Sequence, residues 1–489
     1  MTSDPPSPSA SAPTPPAYLH GRDLRIVLIG VMLAMFLAAL DQTVIVTALP
    51  TIAADLGDDF YLPWVVTAYM LMATATAPLY GKYADIRGRR TALFLALGVF
   101  TVGSIACALS PTMLALVLAR AVQGLGAGGL MAVPMTIVAD AIPARDRGRY
   151  QGYITSVYAL ASLAGPVIGG TLTDFFHWSL IFWINLPLAA LSAAIGWPAL
   201  RRLPRHERPH SLDGIGAVLL IAATVTMLLP LTWSGNSHGW LSSTTVALFT
   251  AALVLWILFV IRLRMAPEPL VPITILRNPV VATGAIGAFF STGSFIGLTV
   301  VTPLLFETLL GYSPSQSGLA VIPLMIGAVV GATVAGHGMY YLRHYKRVAI
   351  VGLCWAVAGM ALTAFGFERM SGLTLSVALG LISLGIGTAL PVTIVAIQNA
   401  VEPHQMGTAT ASSTFFRQFG GAIMAAIFGA ILLTMAGQGA SIEDIGTRVA
   451  DPVGLVSAFR WIFAVAAVTL SMALLSLVKL EERPLRGRS

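Results

Sequence analysis

The chain has 489 residues, 56% of them hydrophobic and only 10% charged, with a mean hydropathy of +0.83. Soluble domains carry about a quarter charged residues, so this composition excludes a soluble globular protein and requires a polytopic membrane protein with the lipid bilayer as its partner. The net charge of +7 and the pI near 9.6 do not make a nucleic-acid binder, because the basic residues are scattered over short segments between apolar stretches instead of gathered on one face.

In chain order, residues 1–20 form a tail. Its first 17 positions are rich in Pro, Ser and Ala, with neither an apolar core nor a basic leader, and read as disordered chain and not as a signal peptide. The first span covers 24–48, held at its near end by Arg22 and Arg25, with Pro50 and the acidic segment 55–59 marking its exit. Further apolar stretches at 64–80, 91–109, 112–139, 150–173 and 179–200 are each long enough to cross roughly 30 Å of hydrocarbon as a helix. Residues 21–203 therefore make a first six-helix bundle. After the basic run 201–208, residues 204–275 hold a linker and two more spans, 212–231 and 244–263, which read as an inserted hairpin. A second six-helix bundle occupies 276–480, with spans at 280–306, 316–341, 348–367, 373–398, 407–435 and 456–479, and 481–489 form a short tail. The total is fourteen spans in an all-α protein.

Charge tests that count. Lys82, Arg87, Arg89, Arg90, Arg145, Arg147, Arg149, Arg201, Arg202, Arg205, Arg208, Arg262, Arg264, Arg277, Arg343, Lys346 and Arg347 fall on one side, against Arg369 and Arg448 on the other. The positive-inside rule makes the basic side cytoplasmic and places both termini there. The densest cluster is Gly81-Lys82-Tyr83-Ala84-Asp85-Ile86-Arg87-Gly88-Arg89-Arg90. A faint repeat sets 338–347 beneath it, aligning the first Gly and the closing basic pair but lacking the acid and the second Gly, so the first-half loop is expected to carry the stronger gate.

Charges inside spans are costly and mark functional candidates. Asp41, Arg120 and Arg417 stand out. Asp41 lies nine residues before Pro50 and Arg120 eight after Thr112, which puts both roughly 12 to 14 Å below the outer surface. An acid and a base at one depth suit a water-accessible site for proton uptake and release, in which Arg120 holds Asp41 ionised until a conformational change separates them. The alternative is a static pair that fixes packing. Arg417 reads as a second functional charge or a structural clamp. Asp85 is placed to accept hydrogen bonds at a helix start or to pair with a base across the two halves, while Arg87, Arg89 and Arg90 serve the gate or simply anchor topology. Gly165 and Gly169 permit close helix approach and Pro166 removes a backbone donor, so that helix is able to bend. Glu307, at the outer end of its span, reads as an entry-side contact or a solvated acid.

Several signals are discounted. Gly124, Gly126 and Gly129 fit a dinucleotide fingerprint, yet no strand precedes them. Gly81-Lys82 lacks the spacing of a phosphate-binding loop. The eight histidines form no ligand set, and Cys107 and Cys354, both within spans, read as plain core residues, so neither a metal nor any other cofactor is expected.

The 81–90 loop resembles the signature loop between the second and third helices of the major facilitator superfamily. Leu40-Asp41-Gln42-Thr43-Val44-Ile45-Val46-Thr47-Ala48-Leu49-Pro50 is similar to the first-helix signature of the fourteen-span drug:proton antiporters in that superfamily. Arg120-Ala121-Val122-Gln123-Gly124-Leu125-Gly126-Ala127-Gly128 is similar to their fourth-helix motif. Gly165-Pro166-Val167-Ile168-Gly169-Gly170 resembles the fifth-helix motif associated with antiporters, and Trp183-Ile184-Asn185-Leu186-Pro187 and Arg417-Gln418-Phe419-Gly420-Gly421 match in place and order. His177-Trp178-Ser179 departs from the Trp-Arg-Trp common in the family. The resemblance implies the major facilitator fold, with Asp41 and Arg120 in proton coupling, Gln123 beside them, and Gly81, Asp85, Gly88, Arg89 and Arg90 as a cytoplasmic gate. It also implies a monomer in the bacterial inner membrane that exports amphipathic or cationic small molecules, conferring antibiotic resistance, with the proton gradient as its energy source. The alternative on the same frame is a specific exporter of one physiological solute, or a translocator of lipid or amphiphile. A receptor or a membrane-embedded enzyme would need a soluble domain or clustered acids and histidines, and the sequence has neither.

Overall fold

The computed structural model describes residues 19, 21–57, 61–200, 212–233, 242–342, 344–435 and 452–485, and its regular structure is helical throughout. The expected N-terminal tail apart from Leu19, the basic run 201–208, Arg343 and Arg448 lie outside the described residues. The first bundle comprises α1 (Gly21–Leu56), α2 (Leu62–Arg87), α3 (Arg89–Ala108), α4 (Met113–Ala141), α5 (Ala144–Phe175) and a sixth span divided into α6 (Leu180–Trp183) and α7 (Asn185–Leu200). A hairpin of α8 (Gly214–Trp233) and α9 (Ser243–Met265) follows, and α10 (Ile273–Arg277) leads into the second bundle. That bundle comprises α11 (Pro279–Leu310), α12 (Pro314–Tyr341), α13 (Lys346–Gly366), a span divided into α14 (Gly372–Gly387) and α15 (Ala389–Ala400), α16 (Met406–Met435) and α17 (Pro452–Lys479). Among the described residues, 14 helical segments are long and apolar enough to cross a bilayer. Short connections force successive rods antiparallel, so the 81–90 loop, the α4–α5 and α12–α13 turns and the end of α17 share one end of the molecule, the basic end.

Proline sets the places where the helices depart from the expected boundaries. Pro50 does not end the first span: α1 runs through it to Leu56 and stops at Gly57, whose φ of 65° is left-handed. A single missing amide is tolerated within a bundle when neighbouring groups cover the freed carbonyl. Pro187 and Pro391 act more sharply. Each removes the amide that would bond four residues back, to Trp183 and Gly387, and at those points the sixth and twelfth spans break, into α6/α7 and α14/α15. Two other expectations change. Cys107 is buried, but Cys354 is exposed on the outer face of α13, since a membrane helix presents apolar side chains to lipid as well as to its core. Residues 481–485, expected as a free tail, lie along the second bundle: Glu482 accepts from the Lys346 amide at 3.1 Å, and the Asn399 side chain donates to the Pro484 carbonyl at 3.0 Å.

The two bundles are built differently inside. The second has a large apolar core drawn from α11 to α17 and a smaller one around Ile275, Val281, Ile397, Val401 and Ala409. The first has two, one around Val27–Ala38, Phe100 and Leu130–Ile142 and one around Leu40–Ile52, Val65, Leu116 and Phe182, and the seam between them falls at the level of Asp41 and Arg120. The inserted hairpin packs with its own small core against Leu79 of α2 and Phe415 of α16, bridging the bundles.

The bundles meet at the basic end through side chains small enough to let backbones touch. A methyl group on Gly81 would collide with Ala411 and the Gly407 carbonyl, and Gly148 of α5 and Gly336 of α12 have no room for one between them. This pairs Gly148 with Gly336, whereas the repeat pattern singled out Gly338, which faces Val348 of its own bundle. Arg145 closes the same contact, its guanidinium 4.1 Å above the Tyr340 ring. We expect Gly81→Leu to leave both bundle cores intact and hold the basic end apart. A cysteine at Thr410, buried in that contact, in a chain otherwise free of cysteine, should then react with maleimide about tenfold faster, the equivalent of roughly 1.4 kcal/mol of lost closure. Unchanged labelling would show that Gly81 does not govern the contact.

Candidate functional site

The seam in the first bundle is a polar layer assembled from α1, α3, α4 and α7. Asp41 is 4% exposed and Arg120 0%. The Arg120 Nη1 donates to Asp41 Oδ2 at 2.6 Å and to Gln123 Oε1 at 2.7 Å, and its Nε donates to the Val65 carbonyl at 3.0 Å. The second carboxylate oxygen, Oδ1, accepts from Gln123 Nε2 at 2.8 Å and from Asn185 Nδ2 at 2.7 Å. Ser104 links the layer to the start of the sixth span, accepting from Asn185 at 2.9 Å and donating to the Phe182 carbonyl at 2.8 Å. The Tyr69 ring lies 4.2 Å from the guanidinium and covers its face.

Local sequence explains the assembly. Gln123 follows Arg120 by one helical turn, so both point from one face of α4. Asn185 reaches Asp41 because the break imposed by Pro187 starts a new helix at that residue, inside the bundle. Gly103 lies against the backbone of Gln123 with no space for a side chain, which draws α3 close enough for Ser104 to take part. Of these groups the motif reading had named Asp41, Arg120 and Gln123. It quoted Asn185 only as part of a motif and gave Ser104 no role, since nothing in its local pattern separates Ser104 from an ordinary span serine.

The expected water-accessible pair is sealed in this conformation. Every described partner of the carboxylate comes from its own bundle, and among the described residues the Arg120 Nη2 has no hydrogen-bond partner. A buried pair of this kind is held by mutual need. Removing one partner costs roughly 3–5 kcal/mol because it strands the other charge in a dry interior. Protonating Asp41 does the same thing reversibly, so a proton arriving here creates a strong drive for α1 and α4 to rearrange.

The other sequence candidates separate by location. Gly165 and Gly169 pack on α1 on either side of Val44, where a methyl group would strike Thr43 and Thr47, and Thr43 Oγ1 donates to the Ala161 carbonyl at 3.0 Å. The antiporter-type motif thus grips the helix that carries Asp41. Gly170 faces open space and Pro166 is exposed, so neither makes that contact. In the loop, Asp85 accepts from the Gly407 and Thr408 amides at 2.9 and 2.6 Å and from Thr408 Oγ1 at 2.7 Å, at the first turn of α16 in the opposite bundle. Arg89 binds Asp85 and, at 2.8 Å, Asp140 of α4. Gly88 supplies the turn with a φ of 89°, and Arg90 stacks 3.9 Å over Trp197. Glu307 is half-buried and accepts from Ser317 Oγ at 2.5 Å, joining α11 to α12. At the opposite end, Trp178 Nε1 donates to Asp55 Oδ2 at 2.6 Å, so the atypical His177-Trp178-Ser179 corner is tied to the acidic segment after Pro50. Arg417 is 6% exposed and faces Met135 of α4, far from the Asp41 layer. Among the described residues no group of three potential metal ligands is found.

A family model described as Major Facilitator Superfamily matches residues 31–425, most of the chain and both halves of this arrangement. The chain belongs to the Major Facilitator Superfamily. This is a family of transporters, not of enzymes, and its members work without a resident cofactor. Among relatives, an uncharacterized MFS-type transporter of Mycobacterium tuberculosis is 33% identical over 439 residues, 87% of this chain and 63% of its own length, so the chain spans less than two thirds of that protein. Multidrug resistance protein 3 of Bacillus subtilis is 31% identical over 408 residues, 83% of this chain and 79% of the relative. In architecture the chain is similar to a bacterial homologue of the iron transporter ferroportin in an outward-facing state, with a TM-score of 0.66 at 11% identity over 95% of this chain and 100% of that one.

Two outcomes follow from the site geometry. Asp41→Asn should lower thermal stability by the order of 3–5 kcal/mol by stranding Arg120, and adding Arg120→Gln should recover most of that loss in a thermal-unfolding assay. Equal stability of the single and double variants would mean that the pair is not coupled. At the loop, Asp85→Asn should increase labelling of the Thr410 cysteine, whereas Arg87→Ala, an exposed position, should leave it unaltered.

Proposed function

We propose that this superfamily member is a proton-coupled exporter of amphipathic small molecules, working as a monomer in a bacterial inner membrane with the basic end and both termini in the cytoplasm. The observation that carries this reading is the sealed Asp41–Arg120 pair. A carboxylate with one counter-charge, held in a layer that divides an otherwise apolar bundle, is what a single proton needs in order to change the energy of a helix packing.

The contacts supply a sequence of consequences. With the basic end shut, a proton from outside neutralises Asp41 and leaves Arg120 without its counter-ion. Relief requires α1 to shift against α4, and α1 is gripped by Gly165 and Gly169 of α5. The far half of α5 carries Arg145 and Gly148, which shut the basic end against α12, so the strain reaches the gate through one continuous helix. The closed interface is itself imperfectly satisfied. Among the described residues neither end of the buried Gln151 amide has a partner, and Gln398 Oε1 has none, so parting the bundles hydrates groups that cost roughly 1–3 kcal/mol each when dry. Cargo then enters from the cytoplasm, Asp41 releases its proton there, the pair reforms and the basic end closes behind the cargo. A proton moving down 100 mV supplies roughly 2.3 kcal/mol, enough for about a fortyfold gradient of a neutral substrate. Multidrug resistance protein 3 and the efflux pump FUS6 of Gibberella fujikuroi, the latter 31% identical over 436 residues, carry names that fit export.

In proteoliposomes, Asp41→Asn is expected to bind a fluorescent amphiphile with little change but to lose substrate-driven proton flux by at least an order of magnitude, about 1.4 kcal/mol or more of coupling. Proton flux equal to that of the unaltered protein would reject the assignment.

A further inference from the structure

The geometry points to Arg417 and Gln418 as a head-group site for an anionic amphiphile, formed when the bundles part at the basic end. This deepens the efflux reading and rests on it for the transport step, though not for binding. Arg417 sits in the basic half of α16, on the face toward α4, and is 6% exposed. A buried cation normally has an acid beside it, as Arg120 does in holding Asp41 at 2.6 Å. Arg417 has no carboxylate among the described residues. Its two terminal nitrogens both approach the Met135 sulfur at 3.9 Å. One residue on, Gln418 Nε2 meets the Met131 sulfur at 3.1 Å, and Thr414 Oγ1 lies 4.0 Å from Met135.

The two faces are mismatched in a specific direction. The α16 side offers a guanidinium with five N–H donors and an amide, the Thr414 hydroxyl being turned to the Thr410 carbonyl at 3.0 Å, while α4 answers with two thioethers, which are weak acceptors. A carboxylate or similar monoanion would bind the guanidinium through two parallel charge-assisted bonds and would displace the sulfur contacts readily. Once displaced, Met131 and Met135 become an apolar and adaptable wall a few ångströms from the charge, suited to the body of an amphiphile of variable shape. A cationic cargo in the same cleft would meet a like charge. The layer around Asp41 does not compete for the head group, because its carboxylate and guanidinium satisfy each other inside the first bundle. Export of a monoanion against an incoming proton also moves both charges in the same electrical sense, so an inside-negative potential drives this cargo more strongly than a neutral one.

Binding of three dansyl probes to the full-length chain in detergent, 11-(dansylamino)undecanoate, its methyl ester and dansylcadaverine, tests this directly. The unaltered protein should bind the carboxylate about tenfold tighter than the ester and bind the amine least well. Arg417→Gln should bring acid and ester within about twofold, and Arg417→Lys should keep part of the preference. Equal binding of acid and ester by the unaltered protein overturns the proposal, as does a preference that survives Arg417→Gln in monodisperse protein. Reconstituted export separates this claim from the efflux reading. Export of dansylcadaverine without a carboxylate preference sinks the head-group site and leaves efflux standing. A carboxylate preference with no export of any probe keeps the site and sinks efflux.

Discussion

A carboxylate and a guanidinium taken out of water depend on each other, and the first bundle is arranged around that dependence. Asp41 and Arg120 are enclosed by Gln123, Asn185, Ser104 and the Tyr69 ring, and this layer interrupts the apolar core of the bundle at one level. Above and below it the packing is ordinary and apolar. Within the layer the gain or loss of a buried charge outweighs any one methylene contact. The second bundle has a large apolar core beside a smaller one and no ion pair buried on both sides among its described residues, so the two halves share an architecture but differ inside.

What joins the layer to the interface is the α1–α5 contact. Glycines at 165 and 169 bring the α5 backbone onto Thr43 and Thr47, on the helix that holds Asp41, and α5 then continues to Gly148 and Arg145 at the basic end. One helix thus makes both contacts, with Pro166 between the two glycines that touch α1. The Asp85 loop works at the same end by different means: a carboxylate set against the first amides of α16 gains from the helix dipole as well as from direct hydrogen bonds. Such contacts are strong when made and leave no residue of packing when broken, as a gate requires.

The elements outside the two bundles brace this end. The hairpin places Trp256 against Phe415 and Phe419 of α16, two rings that stack 5.4 Å apart, so the helix carrying Arg417 is supported from the side away from α4. Glu482 meets the start of α13 from the C-terminal segment, supplying an acid to a loop whose own repeat lacks one. The second loop thus takes its acid from its own bundle, while the acid of the first reaches across to the other.

The sequence by itself determined the class of the protein, the number of spans, which end is basic and which charges lie within the bilayer. Each of these follows from transfer energetics summed along a helix, and such sums need no knowledge of neighbours. The depth match of Asp41 and Arg120 was legible for the same reason, since rise per residue is fixed. Tertiary structure alone decided that Asn185 and Ser104 complete the layer, that Gly336 and not Gly338 meets Gly148, that Cys354 faces outward, and that Arg417 faces thioethers instead of an acid. Those outcomes depend on the rotation of each helix about its axis and on the breaks at Pro187 and Pro391, which are set by packing between segments distant in the chain. A hydropathy pattern that is apolar on every side carries no record of that rotation.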